Sequence, residues 1–280
     1  MLNKIISALL LQSVCLCAHA VHIWDGSDYH NNSESQKRSA EFIIEKFTFE
    51  GNEDVLDLGC GDGKISAKLS KLVPSGHATG LDLSKSMIEY AQQNFPPSQF
   101  NNLSFSTGNA CELNFEDRFN VIFSFTALQW AEDHYKVLQG MHKALKADGT
   151  IAITMPMGLP LTVQQALEEM TAKDQWRGFF TDFSTGFNFV SLEQYQEILD
   201  KTGFKTNLIE KVAQKDIFES KEHLSQFMSQ WLPYLRPIPN DLKAAFMSEL
   251  LDRYIELEGI EANEPIYFCP NHLTVIAHKI

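Results

Sequence analysis

Strong positive charge is missing from this sequence. The Lys37-Arg38 pair is its largest basic cluster, and the 280 residues carry a formal charge of −13. A surface of that sign repels phosphate backbones, so no nucleic-acid partner is expected. Cysteine is sparse as well. Cys15, Cys17, Cys60, Cys111 and Cys269 stand at spacings that suit neither a disulfide framework nor a zinc site. The histidines show no ligand spacing, so no metal is expected either. No apolar run reaches the roughly 20 residues of a membrane helix, which excludes a stable membrane anchor of that kind.

What remains is the composition of an ordinary globular enzyme, with 44% hydrophobic and 21% charged residues. The first twenty residues differ from the rest. Lys4 precedes an apolar stretch over residues 5–17, and Ala18-His19-Ala20 has the small-x-small pattern of a cleavage site. Residues 1–20 are therefore read as a secretory signal peptide, and the protein as exported. The alternative is a mis-assigned start near Val21, which would leave a cytoplasmic enzyme. With the leader removed, Cys60, Cys111 and Cys269 are expected as free thiols.

The rest of the chain alternates in type. Strands are predicted over residues 54–58, 78–83, 103–106, 119–124 and 150–154 from short apolar runs bounded by turn residues. Helical spacing appears over 36–47 and 64–72, after Ser84, and over 137–145, which closes at Ala147-Asp148-Gly149. Beyond Pro156 the pattern loosens. A helix capped by Ser191 stops at Gly203, and helical stretches at 223–231 and 241–258 separate two last strands at 204–212 and 273–277. This alternation predicts an α/β fold: a seven-stranded, mostly parallel sheet with helices on both faces and a helical C-terminal cap. Residues 21–50 form an N-terminal substrate-side helix, 51–156 the cofactor-binding core, and 157–280 the cap with the last two strands.

The densest motif is Asp57-Leu-Gly-Cys-Gly-Asp-Gly63, between a predicted strand and a predicted helix. Gly59 and Gly61 let the backbone turn and approach a ligand with no Cβ in the way. Leu58 and Ile65 stand where a P-loop needs Gly and Ser or Thr, and Lys64 stands where a dinucleotide fold needs its third glycine. Asp82 ends the next strand, where an acid accepts hydrogen bonds from ribose hydroxyls.

With these motifs in order, the segment resembles the class I S-adenosylmethionine-dependent methyltransferases. The resemblance implies S-adenosylmethionine as cofactor, held by Asp57, Gly59, Cys60, Gly61, Asp82, Leu83, Asn109, Ala110 and Ser124. Asn109 replaces the acid of the family's Gly-Asp-Ala signature, which keeps an acceptor oxygen and loses the charge. Two flanking stretches, Tyr29-x-x-Asn-Ser-x-x-Gln36-x-Arg38-x-Ala40 and Phe123-Ser-Phe-Thr-Ala-Leu-Gln-Trp130, are similar to carboxylate methyltransferases of the trans-aconitate and juvenile hormone acid group. Trp231-Leu-Pro-Tyr-Leu235 resembles the cap of that group.

In such enzymes Gln36 and Trp130 would contact the substrate as catalytic residues, with Tyr29 near the methyl donor. The expected partner is a small-molecule carboxylate. A carboxylate is ionised at neutral pH, so no general base is required. His134 would be the base if the acceptor were a nitrogen or carbon, and Arg177 and Arg236 are two cations that could grip a carboxylate. A non-catalytic, exported cofactor-binding protein is the third reading.

Overall fold

A computed structural model describes residues 34–261 and 264–280. The expected leader, Tyr29, His22 and His30 lie outside the described residues. Eight α-helices and nine strands are described: α1 (Glu34–Ile44), β1 (Asp54–Leu58), α2 (Lys64–Leu72), β2 (His77–Asp82), α3 (Lys85–Asn94), β3 (Leu103–Thr107), β4 (Phe119–Phe125), α4 (His134–Ala144), β5 (Leu145–Pro156), α5 (Leu161–Ala172), α6 (Leu192–Lys201), β6 (Phe204–Ala213), β7 (Asp216–Phe218), α7 (Lys221–Trp231), α8 (Asn240–Glu258), β8 (Ile266–Phe268) and β9 (Asn271–Lys279).

Seven strands form one sheet in the order β3-β2-β1-β4-β5-β9-β6. The first five are parallel, and β9 runs antiparallel to both its neighbours. The seven-stranded, mostly parallel Rossmann-like sheet is therefore present. Alternation along a strand sends successive side chains to opposite faces. Val55 and Phe123 join a core with Ile43 and Leu69 from α1 and α2. Leu56 and Ile122 join a second core with Leu138 and Tyr195 from α4 and α6. Both faces are thus covered, which is why the central strands read as continuous apolar runs.

The local signals behave as expected at several places. Ser84 caps α3, and Ser191 with Gln194 forms a capping box on α6. Elsewhere the structure corrects the reading. The fourth helix stops at Ala144, and the next strand begins at Leu145. Leu145 pairs with Phe119 and Thr150 with Val121, so a bulge absorbs the intervening residues, with Asp148 at φ 59°. The turn predicted at residues 147–149 is that bulge.

The cap holds more than the two predicted helices. α5 packs with α7 and α8 into a third core around Leu167, Leu224 and Leu250. A two-stranded sheet, β7 with β8, adds Phe218 and Phe268 to it. Among the described residues Cys60, Cys111 and Cys269 are free thiols, and no helix is long and apolar enough to cross a membrane.

Candidate functional site

The glycine loop leaves β1 and enters α2 through three positive-φ glycines, Gly59, Gly61 and Gly63. At Gly59 the requirement is also steric: a Cβ there would stand 2.2 Å from Ala127 Cβ. The loop is anchored on the end of β2, where the Gly59 and Cys60 N–H groups donate to the Leu81 carbonyl at 2.7 and 3.1 Å. Asp82 faces the same loop. Its carboxylate accepts from Gly61 N–H at 2.9 Å and Ser84 N–H at 2.8 Å. Burial raises its pKa, and these N–H donors oppose the shift.

A cavity of about 270 Å³ opens beside Asp82, walled by Gly61, Leu83, Gly108, Asn109 and Ala110 among others. The backbone donors of Gly61, Leu83 and Ser84 do not exhaust the lone pairs of the Asp82 carboxylate, which can still accept from a hydroxyl. Leu83 is 56% exposed, an apolar side chain with little protein cover. The chemistry of this wall fits a nucleoside: a carboxylate for ribose next to an apolar slot for a base. Asn109 plays two parts. Its side chain lines the cavity, and its Oδ1 accepts the Cys111 N–H at 2.9 Å and caps a turn.

Three residues expected to touch the ligand stand behind the wall instead. Asp57 is buried and accepts the Ser66 hydroxyl at 2.6 Å; burial, more than its neighbours Asp82 and Asp62, raises its pKa to about 7. The Cys60 side chain is buried and off the cavity wall, and burial pushes its thiol well above its ordinary range. Ser124 is fully buried, and its hydroxyl donates to the Leu58 carbonyl at 2.7 Å. Their side chains are not among those that line the cavity, and the Asp57 and Ser124 hydrogen bonds tie the ends of β1 and β4 to their neighbours.

A second, smaller pocket of about 70 Å³ adjoins the first, and Thr126 and Trp130 line both. Thr126 sits at φ 52°, a conformation that β-branched residues rarely adopt. Gln129 secures this turn by donating to the Thr126 carbonyl at 2.9 Å. Trp130 packs on Phe187 with ring centroids 4.5 Å apart, and the Arg236 guanidinium lies 5.5 Å from its centroid. Gln36 and Trp130, predicted from two distant stretches, line the same pocket.

The other candidates separate clearly. Arg236 lines the larger cavity, whereas Arg177 pairs with Asp174 at 3.2 Å on an exposed surface. His134 lines neither cavity; its Nε2 contacts the Asn188 carbonyl at 2.9 Å and its ring meets Tyr195 edge-on. Burial lowers its pKa.

Residues with no motif complete the smaller pocket. Asp216 is buried and takes Arg38 Nη2 at 2.8 Å and Gln214 Nε2 at 3.0 Å. Burial lowers the His272 pKa to about 4, against an opposing pull from Asp216, so its ring is neutral at pH 7. Among the described residues nine have a buried side-chain polar atom with no hydrogen-bond partner, and Gln36, Thr126, Gln129, Trp231 and His272 all line this pocket. Such groups each cost about 1–3 kcal/mol when left unpaired. Among the described residues no group of three or more side chains could hold a metal.

Residues 49–203 match the family described as a methyltransferase domain. The chain is 24% identical over 251 residues to the 235L protein of Invertebrate iridescent virus 6, a candidate methyltransferase, covering 88% of this chain and 92% of that one. It is 25% identical over 236 residues to the trans-aconitate 2-methyltransferase of Enterobacter sp. (strain 638), covering 84% and 88%. Among solved structures, a phosphoethanolamine N-methyltransferase 2 of Haemonchus contortus, in complex with phosphomonomethylethanolamine and S-adenosylhomocysteine, superposes with a TM-score of 0.56. That match is 21% identical and covers 86% of this chain and 52% of the other.

Proposed function

The chain belongs to the methyltransferase-domain family, and from that premise we propose that its acceptor is the carboxylate of a small organic or fatty acid. It is an S-adenosylmethionine-dependent methyltransferase that resembles the trans-aconitate group. When bound, S-adenosylmethionine supplies a sulfonium methyl that passes to the acceptor oxygen as the C–S bond breaks, leaving a neutral thioether. Gly61, Leu83, Asp82 and Asn109 are the residues that would hold it, by close backbone approach, apolar cover and hydrogen bonds.

The observation that carries the acceptor reading is the junction between the two pockets. Thr126 and Trp130 are shared, Arg236 lies over Trp130, and among the described residues that line the two pockets His272 is the one histidine. His134 is turned away into the core. His272 lines the smaller pocket, but a ring with a pKa of about 4 is a weak base for a hydroxyl or an ammonium. An ionised carboxylate needs neither. The residues then have three tasks: Arg236 offsets the carboxylate charge, Trp130 holds the oxygen in line, and the aromatic walls exclude water. The likeness to trans-aconitate 2-methyltransferases supports this reading.

One feature favours a second reading, N-methylation of an amine. Asp216 together with Trp130, Trp231 and Phe268 has the make-up of a site for a cation. The Arg38 ion pair opposes it by neutralising that acid. A screen of purified protein with methyl-labelled cofactor against carboxylic acids, amines and phenols separates the two. Methyl esters are expected; label found only on nitrogen or carbon retires the carboxylate reading. The export reading of residues 1–20 also stands as a proposal, tested by the mass of the native N-terminus in culture medium and in cell lysate: a chain beginning at Val21 in the medium supports it, whereas one beginning at Met1, or one beginning near Val21 only in the lysate, ends it.

A further inference from the structure

The smaller pocket is apolar over most of its wall, yet three of the described residues that line it carry buried polar atoms with no partner and complementary hydrogen-bonding character. Trp231 Nε1 and His272 Nδ1 are both buried without partners, on residues from the end of α7 and the start of β9. Gln129 Oε1, from the turn after β4, is a third, its own amide N–H being spent on Thr126. Together they offer a donor, an acceptor and a ring nitrogen able to serve as either. No lysine or arginine is among the described residues that line this pocket. Its one acid, Asp216, is already met by Arg38 from outside and by Gln214.

We infer that this pocket recognises an uncharged hydrogen-bonding group on the acceptor, such as a hydroxyl or a carbonyl, remote from the carboxylate that is methylated. The inference rests on the carboxylate reading and narrows it to acids with one carboxylate and one neutral polar function. A second carboxylate here would enter a largely apolar wall with no lysine or arginine among the described residues that line it, beside an acid already there. An ammonium would find the acid's charge offset by Arg38. A hydroxyl would satisfy buried atoms that otherwise stay unpaired, and an acid lacking it would leave them so.

Four six-carbon acids test this: hexanoate, 6-hydroxyhexanoate, adipate and 6-aminohexanoate, titrated calorimetrically into protein loaded with S-adenosylhomocysteine. The hydroxy acid is expected to bind tightest, by about tenfold over adipate and 6-aminohexanoate and several-fold over hexanoate. Equal or tighter binding of adipate or 6-aminohexanoate overturns the inference, as does no difference between hexanoate and its hydroxy analogue.

Trp231→Phe keeps the ring packing against Phe227 and Phe268 and removes only the donor. It should abolish the preference for the hydroxy acid over hexanoate while the affinity for S-adenosylhomocysteine stays the same. His272→Phe should do likewise, and His272→Asn should restore part of the preference. If a variant fails to fold, the ranking by the unaltered protein still decides. Methyl-ester formation is read separately. Esters without the hydroxy preference leave the carboxylate reading standing and sink this inference; the preference without esters does the reverse.

Discussion

The two adjoining pockets are built on different principles. The larger one is made by backbone at strand ends: Gly59, Cys60 and Gly61 N–H groups are all paired, two to Leu81 and one to Asp82. The smaller one is made by side chains from α1, the turn after β4, the segment around Phe187, β7, α7 and β9, and several of its polar atoms are unpaired. A backbone site tolerates few changes and binds one kind of ligand. A side-chain site can be rewritten one residue at a time, so it is where relatives sharing a cofactor can differ in acceptor.

The largest effect should come from the backbone site. Gly59→Val places a branched side chain at φ 79° against Ala127, so cofactor binding should fall below detection, with a loss of several kcal/mol in stability. Calorimetry and urea unfolding measure both. Normal cofactor affinity in this variant would show that the loop is less rigid than its geometry.

Acid sensitivity should divide the two regions next. His272 in the small pocket titrates near pH 4 when folded and near 6.5 when unfolded, so its contribution to stability is present above pH 6.5 and lost as pH falls toward 4. Asp57 behind the large cavity is shifted the other way, from 3.8 to about 7, so its contribution is present below pH 3.8 and lost as pH rises toward 7. Between pH 4.5 and 6.5 the two slopes oppose, each up to about 1.4 kcal/mol per pH unit. Compared with the unaltered protein, Asp57→Asn should make stability rise more steeply with pH in this window, and His272→Asn should make it rise less or fall. Urea midpoints across the window check the signs, and parallel curves for both variants would refute the assignment.

Asp82→Ala is expected to weaken cofactor binding by about 1–3 kcal/mol, through lost charge-assisted hydrogen bonds. An unchanged dissociation constant would mean that the ribose lies elsewhere. The smallest effect tests the shared wall. Trp130→Phe keeps a ring for Phe187 and Arg236 and should cost less than about 1.5 kcal/mol in kcat/KM for the acceptor, with cofactor affinity unchanged. A larger loss in cofactor affinity would place Trp130 on the cofactor's side of the junction.

The same division explains what could be read from sequence. The glycine loop, Asp82 and Asn109-Ala110 stand out in the sequence because each lies at a strand end and its residue types answer a local need, and they line one cavity in the fold. Ser124 misled for a related reason: it lies at the right strand end, but strand alternation turns its hydroxyl inward to Leu58. Gln36 and Trp130 came only through resemblance. Asp216 and His272 gave no signal, since Arg38 and Asp216 are brought together by packing across most of the chain. Helix α5 was readable and overlooked: Val163, Ala166, Leu167 and Met170 recur at helical spacing, yet no capping side chain marks its start after Pro160. The three-residue strands β7 and β8 are too short for any periodicity to show.

The placement of β9 makes the outer edge of the sheet depend on the last strand of the chain. β6 has no neighbour in the sheet except β9, and β9 comes after the whole of β7, α7, α8 and β8 in the chain. The five parallel strands that end at Pro156 need none of those residues to pair with one another. The five parallel strands can therefore pair before the chain beyond Pro156 is in place, while β6 joins the sheet only when β9 slots in beside β5. His272 arrives on that strand, so the pocket gains its ring nitrogen in the same event that completes the sheet.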